Sequence, residues 1–378
     1  MRLGSAEIHG ALLVAALVAA WASWKADDTP AEKPGEVAIW DLGRAATITK
    51  VAYVAEGRSV VLEQRGAGET GHIWATTQRE KKARKEKKDE PAASQPTSQP
   101  ATPAADAGPS AAADAGPKAE PEPEPEAPPE IDEKQFRANK KATEVFASLI
   151  RPVAKRALGS LDAAQIEEVQ LKEPEATIEI TASSGATKHL EVGMLAYGGG
   201  LRYVRDPDAG VTYVVEAKLV DDLKWGDSRL VERDLHAFKL KDLTAFAIKA
   251  GERSREFART GDADASKPQW RAPETPEGEV DETAATWLGK LWRLRADRYV
   301  KDGEDVTKQG ETTNAEVKVL RIDFQAKDGQ SGHLELSRYG EGKDAKFYGR
   351  TEHTQSLVNV SRYQADEVEK DLEAVLKP

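Results

Sequence analysis

Two short segments place residues able to ligate or pair at strand spacing. His189-Leu190-Glu191-Val192 and His333-Leu334-Glu335-Leu336 each carry an imidazole and a carboxylate two residues apart. Alternation along a strand puts His189 with Glu191, and His333 with Glu335, on one face, with Leu190, Val192, Leu334 and Leu336 on the other. Such a pair holds a metal ion only with a third and a fourth ligand. No His-rich or carboxylate-rich partner segment is evident, so solvated strand positions are expected, with no metal and no cofactor. Tyr203-Val204-Arg205 and Tyr348-Gly349-Arg350 put a phenol and a guanidinium on one strand face, a pairing suited to a carboxylate or phosphate. Tyr203, Arg205, Tyr348 and Arg350 are therefore the candidate contacts for a ligand or partner. The plainer expectation is that Arg205 caps a turn carboxylate such as Asp206 while the tyrosine packs.

Other chemistries find less support. Gly198-Gly199-Gly200 precedes a strand and does not join strand to helix, so it reads as a turn and not a phosphate loop. There is no G-x-S-x-G elbow, and the six histidines lie without a neighbouring nucleophile signature. The absence of cysteine excludes disulfides, thiolate zinc sites, a cysteine nucleophile and a lipid anchor on cysteine. A net charge of −11 with both signs mixed throughout argues against a nucleic-acid partner, which needs clustered Lys and Arg. The sequence thus predicts a protein that is not an enzyme.

The elements that must position these residues follow from patterning. Residues 1–34 contain an apolar run from Ile8 to Trp24, with Trp21 and Trp24 where an interfacial belt would lie; this predicts a membrane anchor with the body outside. The competing reading is a cleavable signal, because Ala20-Trp21-Ala22 has the small-x-small form. From Gly35 to Thr77 the chain is strand-like. Residues 79–131 begin with the basic run Arg79 to Lys88 and continue in Pro, Ala, Ser and Glu, a composition that cannot bury enough apolar area to fold. A disordered insert is expected there. Phe136, Val145, Phe146, Leu149 and Ile150 recur at helical spacing, predicting a helix over Lys134 to Arg151. Hairpins follow at Ala176 to Val192 and, around Asp206-Pro207-Asp208-Ala209-Gly210, at Leu201 to Val215.

The same order then recurs. Leu243 to Ala250 and Ser254 to Thr260 read as strands, Thr283 to Tyr299 as a helix, Val317 to Leu336 as a hairpin, and the chain closes in a helix from Ala365. The His-Leu-Glu and Tyr-x-Arg segments match between halves, and Ile48, Val51, Tyr53 and Trp74 answer Leu243, Phe246, Ile248 and Trp270. A tandem duplication is the economical explanation. The expected architecture is α+β and mainly antiparallel β: two similar β-rich units, 35–233 and 234–378, each with one long amphipathic helix, plus an N-terminal transmembrane helix.

Leu190-Glu191-Val192-Gly193, Tyr203-Val204-Arg205, the Val211 to Val214 strand, a short helix and Arg233-Asp234-Leu235 together resemble domain of unknown function 4340. The resemblance runs from Gly35 to the C-terminus apart from the insert. It implies a bacterial protein with one membrane-spanning segment and an extracytoplasmic body, of a kind often encoded beside ABC transporters of the gliding-motility type. It brings no catalytic residues. The expected role is a non-catalytic accessory or scaffold protein at the cytoplasmic membrane, with an ABC transporter or other envelope protein as partner. A module binding cell-wall glycan or peptide is the alternative, and an envelope hydrolase a more distant one.

Overall fold

The computed structural model describes residues 36–66, 71–81, 130–261, 268–275, 277–309 and 312–377. The predicted anchor, and residues 82–129 of the predicted insert, lie outside them. Short alternating segments build the first sheet from β2 (Ile48–Ala55), β3 (Arg58–Arg65), β4 (His72–Lys81), β5 (Glu130–Arg137), β7 (Arg156–Gly159), β8 (Ala176–Ala182), β9 (Thr187–Leu195), β10 (Leu201–Asp206) and β11 (Val211–Glu216). In β8, Ala176, Ile178, Ile180 and Ala182 are buried and Thr177 and Glu179 exposed, the period of two that one covered face requires. The strands join antiparallel in the order β5-β4-β3-β2-β8-β9-β10-β11-β7. Beside this sheet, β1 (Val37–Ala38) pairs with β6 (Val153–Ala154).

The second sheet uses β12 (Leu243–Ala250), β13 (Arg253–Thr260), β14 (Gln269–Arg271), β15 (Ala296–Tyr299), β18 (Glu316–Ala326), β19 (Ser331–Tyr339), β20 (Lys346–Thr351) and β21 (Leu357–Val360), with β16 (Lys308–Gln309) and β17 (Thr312–Thr313) as a separate hairpin. Its order, β14-β13-β12-β18-β19-β20-β21-β15, repeats the first order strand for strand once the edge strand β5 is set aside. An irregularity recurs too: the register slips between Ile48 and Lys50 where β2 meets β8, and between Leu243 and Ala245 where β12 meets β18. The fold is α+β and predominantly antiparallel β.

Helices cover the apolar faces. Asn139 caps α1 (Lys140–Ile150), which buries Ala142, Val145, Phe146 and Leu149. After the short α2 (Ala163–Glu168), α3 (Lys218–Lys224) and α4 (Gly226–Arg229) close the first half. In the second, Asp281 caps α5 (Glu282–Leu291) with a 2.7 Å bond from the Ala284 N–H, and α5 packs on α6 (Arg362–Val375). One continuous core runs through both halves.

Four expectations are corrected. The predicted helix from Lys134 begins only at Lys140, because Glu130–Arg137 is the edge strand β5, hydrogen-bonded along its whole length to β4; Phe136 faces the core from a strand. The insert is correspondingly shorter than 79–131, since Lys81 and Glu130 sit opposite each other at the ends of that pair and share a 2.5 Å ion pair. The helix predicted over Thr283 to Tyr299 stops at Leu291, and Ala296–Tyr299 forms the opposite edge of the second sheet. Trp74 also does not answer Trp270. Trp270 pairs with Arg259 and contacts Phe246 at 4.8 Å in the core, whereas the register places Ile73 in the corresponding inward position and turns Trp74 to the other face.

Trp74 is covered by Arg65 and His72 of its own sheet and by the second sheet. Its indole meets the Tyr299 ring edge-on at 6.1 Å, and Phe136 lies 6.4 Å from the same ring. The Tyr299 hydroxyl donates to the Glu232 carbonyl at 3.0 Å, Arg137 donates to the His353 carbonyl, and Ala138 bridges to Val231. The two sheets are therefore locked through their edges β5 and β15.

Candidate functional site

The paired segments singled out by type and spacing lie side by side. In the first sheet Arg205 stands opposite Glu191, and in the second Arg350 stands opposite Glu335, so the His-Leu-Glu strand and the Tyr-x-Arg strand are neighbours in the same register twice. Spacing alone left them as separate features. Strand pairing makes each a cluster on the outer sheet face.

The clusters differ in chemistry. In the first, the Arg205 guanidinium reaches the Glu191 carboxylate at 3.5 Å, and His189 lies 3.6 Å from Asp208 and 3.9 Å from Glu179. Arg205 and His189 each have a carboxylate beside them. Asp206 does not take the Arg205 charge: it turns inward and accepts the N–H groups of Asp208 and Ala209 at 3.0 and 3.1 Å, forming the hairpin turn. In the second cluster Glu335 is held instead by Arg321 at 2.6 Å. Arg350 is left exposed on the wall of a depression of about 540 Å³ that Lys301, His333 and Glu352 also line. Tyr348 shares the outer face with Arg350 but is covered, packed edge-on against Tyr339 at 5.4 Å. Tyr203 and Arg205 are half-buried together on their strand. Among the described residues no group of three or more His, Asp or Glu is arranged to hold a metal ion.

Sequence reasoning missed two histidines of the seam, His236 and His353. His236 is buried, stacks on Trp292 at 4.5 Å, meets Phe324 edge-on at 4.8 Å, and finds no hydrogen-bond partner for either ring nitrogen. Burial drives its pKa down to about 3, and the nearby charges of His353, Arg295 and His333 push the same way. His353 sits 3.5 Å from Glu232. Burial opposes ionisation of Glu232, but hydrogen bonds from His353 and from the Asp234 and Arg233 N–H groups outweigh it, and its pKa lies below the usual range. Burial likewise pushes the Tyr299 phenol up. Three of the six histidines thus gather where the sheets meet, a convergence that no local spacing announces.

A buried charge at the opposite end of the first sheet was also missed. Arg202, almost wholly buried, pairs with Glu175 and donates to the Gly193 carbonyl at 2.9 Å. Glu175 in turn takes Lys224. The signal was present in principle, since Arg202 occupies an inward position of an alternating strand.

Residues 131–316, from β5 to the first residue of β18, match the profile of the family described as Domain of unknown function (DUF4340). This stretch belongs to the DUF4340 family. The match is narrower than the resemblance suggested, yet it spans the seam and parts of both sheets. No curated protein and no solved structure matches the chain. The Leu190-Glu191-Val192-Gly193 and Tyr203-Val204-Arg205 segments lie inside the DUF4340 match, and Tyr348-Gly349-Arg350 lies outside it.

Proposed function

We propose that this DUF4340 protein is a non-catalytic accessory or scaffold protein, held at the cytoplasmic membrane by its N-terminal segment with its body outside, and serving an ABC-type transport system. The observation that carries the reading is the placement of the seam. Along β4, Trp74 at the seam and Lys81 at the far end are separated by roughly 23 Å of strand. The first described residues are at that far end: Glu36 bonds Lys155 at 2.7 Å, and Lys155 bonds Glu216 at 2.8 Å. A body that meets its tether at one end and locks a second sheet at the other holds that second sheet at a fixed height. This is what a scaffold needs and what a hinged catalyst does not. The apolar run Ile8 to Trp24 supplies the tether; among the described residues no helix is long and apolar enough to cross a membrane.

Affinity purification of the full chain from detergent-solubilised membranes tests the reading. A component of a transport complex is expected to co-purify. Recovery of the intact chain alone, under gentle conditions, would count against the accessory role.

A further inference from the structure

One end of the first sheet gathers an unusual share of exposed apolar side chains. Register places the close of β2, the start of β3, the close of β4, the start of β5, the close of β9 and the start of β10 on one rim, together with the first described residue, Glu36. Seven of the nine large hydrophobic side chains exposed among the described residues belong to this rim: Val37, Val54, Ile131, Met194, Leu195 and Tyr197, with Trp225 just beyond α3. Tyr197 is fully exposed, at 105%, on a tip whose three following glycines all adopt positive φ. Trp225 is steadied by the Arg58 guanidinium 4.6 Å over its ring, and Arg58 donates to the Lys224 carbonyl at 2.5 Å. Beneath the tip, the buried Arg202 and its more exposed partner Glu175 fix the strand ends.

The second sheet provides the contrast. Its corresponding tip between β19 and β20 carries Glu341, Lys343 and Asp344 where the first carries Leu195 and Tyr197. The apolar character therefore belongs to one copy and is not a requirement of the shared topology. Clustered exposed apolar groups of this kind mark a contact surface, and Tyr and Trp are the residues that settle at the membrane–water boundary.

We infer that this rim is a second membrane contact, in which Leu195, Tyr197, Ile131 and Trp225 rest in the headgroup region beside the N-terminal segment. The inference rests on the anchoring proposed above. Chain length favours a bilayer as the occupant. The eleven residues from Lys25 to Gly35 span at most about 40 Å when fully extended and about 20 Å as a flexible coil. The rim is where the tether arrives, so it is the first part of the body to meet lipid. Glu130 is paired with Lys81 and Glu175 with Lys224 and Arg202, while Glu36 and Glu216 share Lys155. Glu56 and Glu80 stay exposed on the rim, so the attraction is apolar in origin.

The chain contains no cysteine, which permits a direct test on the full-length protein. Tyr197→Cys and Lys343→Cys are labelled with an environment-sensitive fluorophore and reconstituted into phosphatidylcholine–phosphatidylglycerol vesicles carrying a lipid-borne quencher. Quenching at 197 at least about twofold that at 343 is expected for a side chain seated roughly 5–10 Å into the interface. Protein that floats with the vesicles but shows equal, weak quenching at both sites overturns the rim contact while leaving the anchor standing. Failure to float with vesicles overturns the anchor, and the rim contact with it. Shielding at 197 that requires a co-reconstituted membrane protein reassigns the rim to a protein interface and likewise overturns the proposal.

Discussion

The two sheets share a strand order and a bulge, yet their margins have been put to different uses. The first extends its fourth strand to ten residues and adds β5 along it, while the equivalent β14 has three residues and ends its sheet. The added strand is the one that meets the second sheet. Core positions are apolar in both sheets, Val51 and Ile180 in one register with Phe246 and Phe324 in the other. Edges and tips diverge. The comparison teaches that topology fixes where a cluster sits, while edge composition decides what it touches.

The largest expected effect separates core from seam. Trp287 is fully buried and donates to the Val368 carbonyl at 2.9 Å, so Trp287→Ala is expected to cost about 4 kcal/mol, or about 10 °C in Tm. Trp74→Ala should cost about 3 kcal/mol, and in a different way: it removes the contact with Tyr299, so calorimetry is expected to resolve two transitions in place of one. A single transition in the Trp74 variant would mean that the seam does not couple the sheets.

The next effect concerns pH. His236 titrates near 6.5 when unfolded and near 3 when folded, so the unfolded chain takes up a proton that the folded chain refuses throughout that window. Stability is full above pH 6.5 and falls as the pH drops, by about 1.4 kcal/mol per unit from this group. By pH 4.5 the loss is about 3 kcal/mol. Around the ring stand Trp292, Phe238 and Phe324, and His353, Arg295 and His333 act on it by charge. His236→Phe keeps the stacking and should flatten this part of the profile. Superimposable denaturation midpoints for parent and variant between pH 6.5 and 4.5 would remove His236 from the account.

Legibility followed locality. The alternation in β2, β8, β9, β10, β12 and β18, the Asp206 to Gly210 turn and the helical faces of α1 and α5 could be read because each is settled within a few residues. The predicted helix overruns β5 because Phe136 counts as one more apolar position ahead of Val145 and Phe146, although it stands nine residues and half a turn out of phase from Val145 and Asn139, the true cap, lies between them. The second predicted helix runs on into β15 because Trp292 and Ala296 continue the helical spacing past the point where the chain turns. The meeting of His189 and Glu191 with Arg205 depends on pairing between strands, and the gathering of His236, His333 and His353 on the meeting of sheets. Neither is written in a spacing. Nor is the exposure of Leu195 and Tyr197, which depends on where neighbouring strands stop.

A smaller effect tests the added edge. Lys81 and Glu130 face each other at the end of β4 and β5, so a short turn can join them. Replacing 82–129 with about ten Gly and Ser residues shortens the connection about fivefold and should stabilise the body by about 1 kcal/mol. The readout is a Tm unchanged or raised by a few degrees. Loss of cooperative unfolding would show that 82–129 takes part in the fold and that the β4–β5 pair does not stand without it.

The smallest effect goes back to the matched arginines and asks whether equal register means equal work. Arg205 and Glu191 are both half-buried and within ion-pairing distance, the arrangement in which a cross-strand pair contributes most. Arg350 faces Glu335 in the same register, but Arg321 holds that carboxylate from the other side and Arg350 points to solvent. Arg205→Ala is therefore expected to cost about 0.5–1 kcal/mol, and a double-mutant cycle with Glu191→Ala should return most of that as coupling. For Arg350→Ala the expected cost is near zero, because an exposed cation without its partner contributes little. Any affinity of Arg350 for an anion would then be free of a stability role, and chemical-shift perturbation by a simple phosphate or carboxylate would report it at Arg350 and not at Arg205. Equal stability losses at the two positions, or equal anion response, would show that the second sheet's arginine is as structural as the first's and that the two clusters never parted ways.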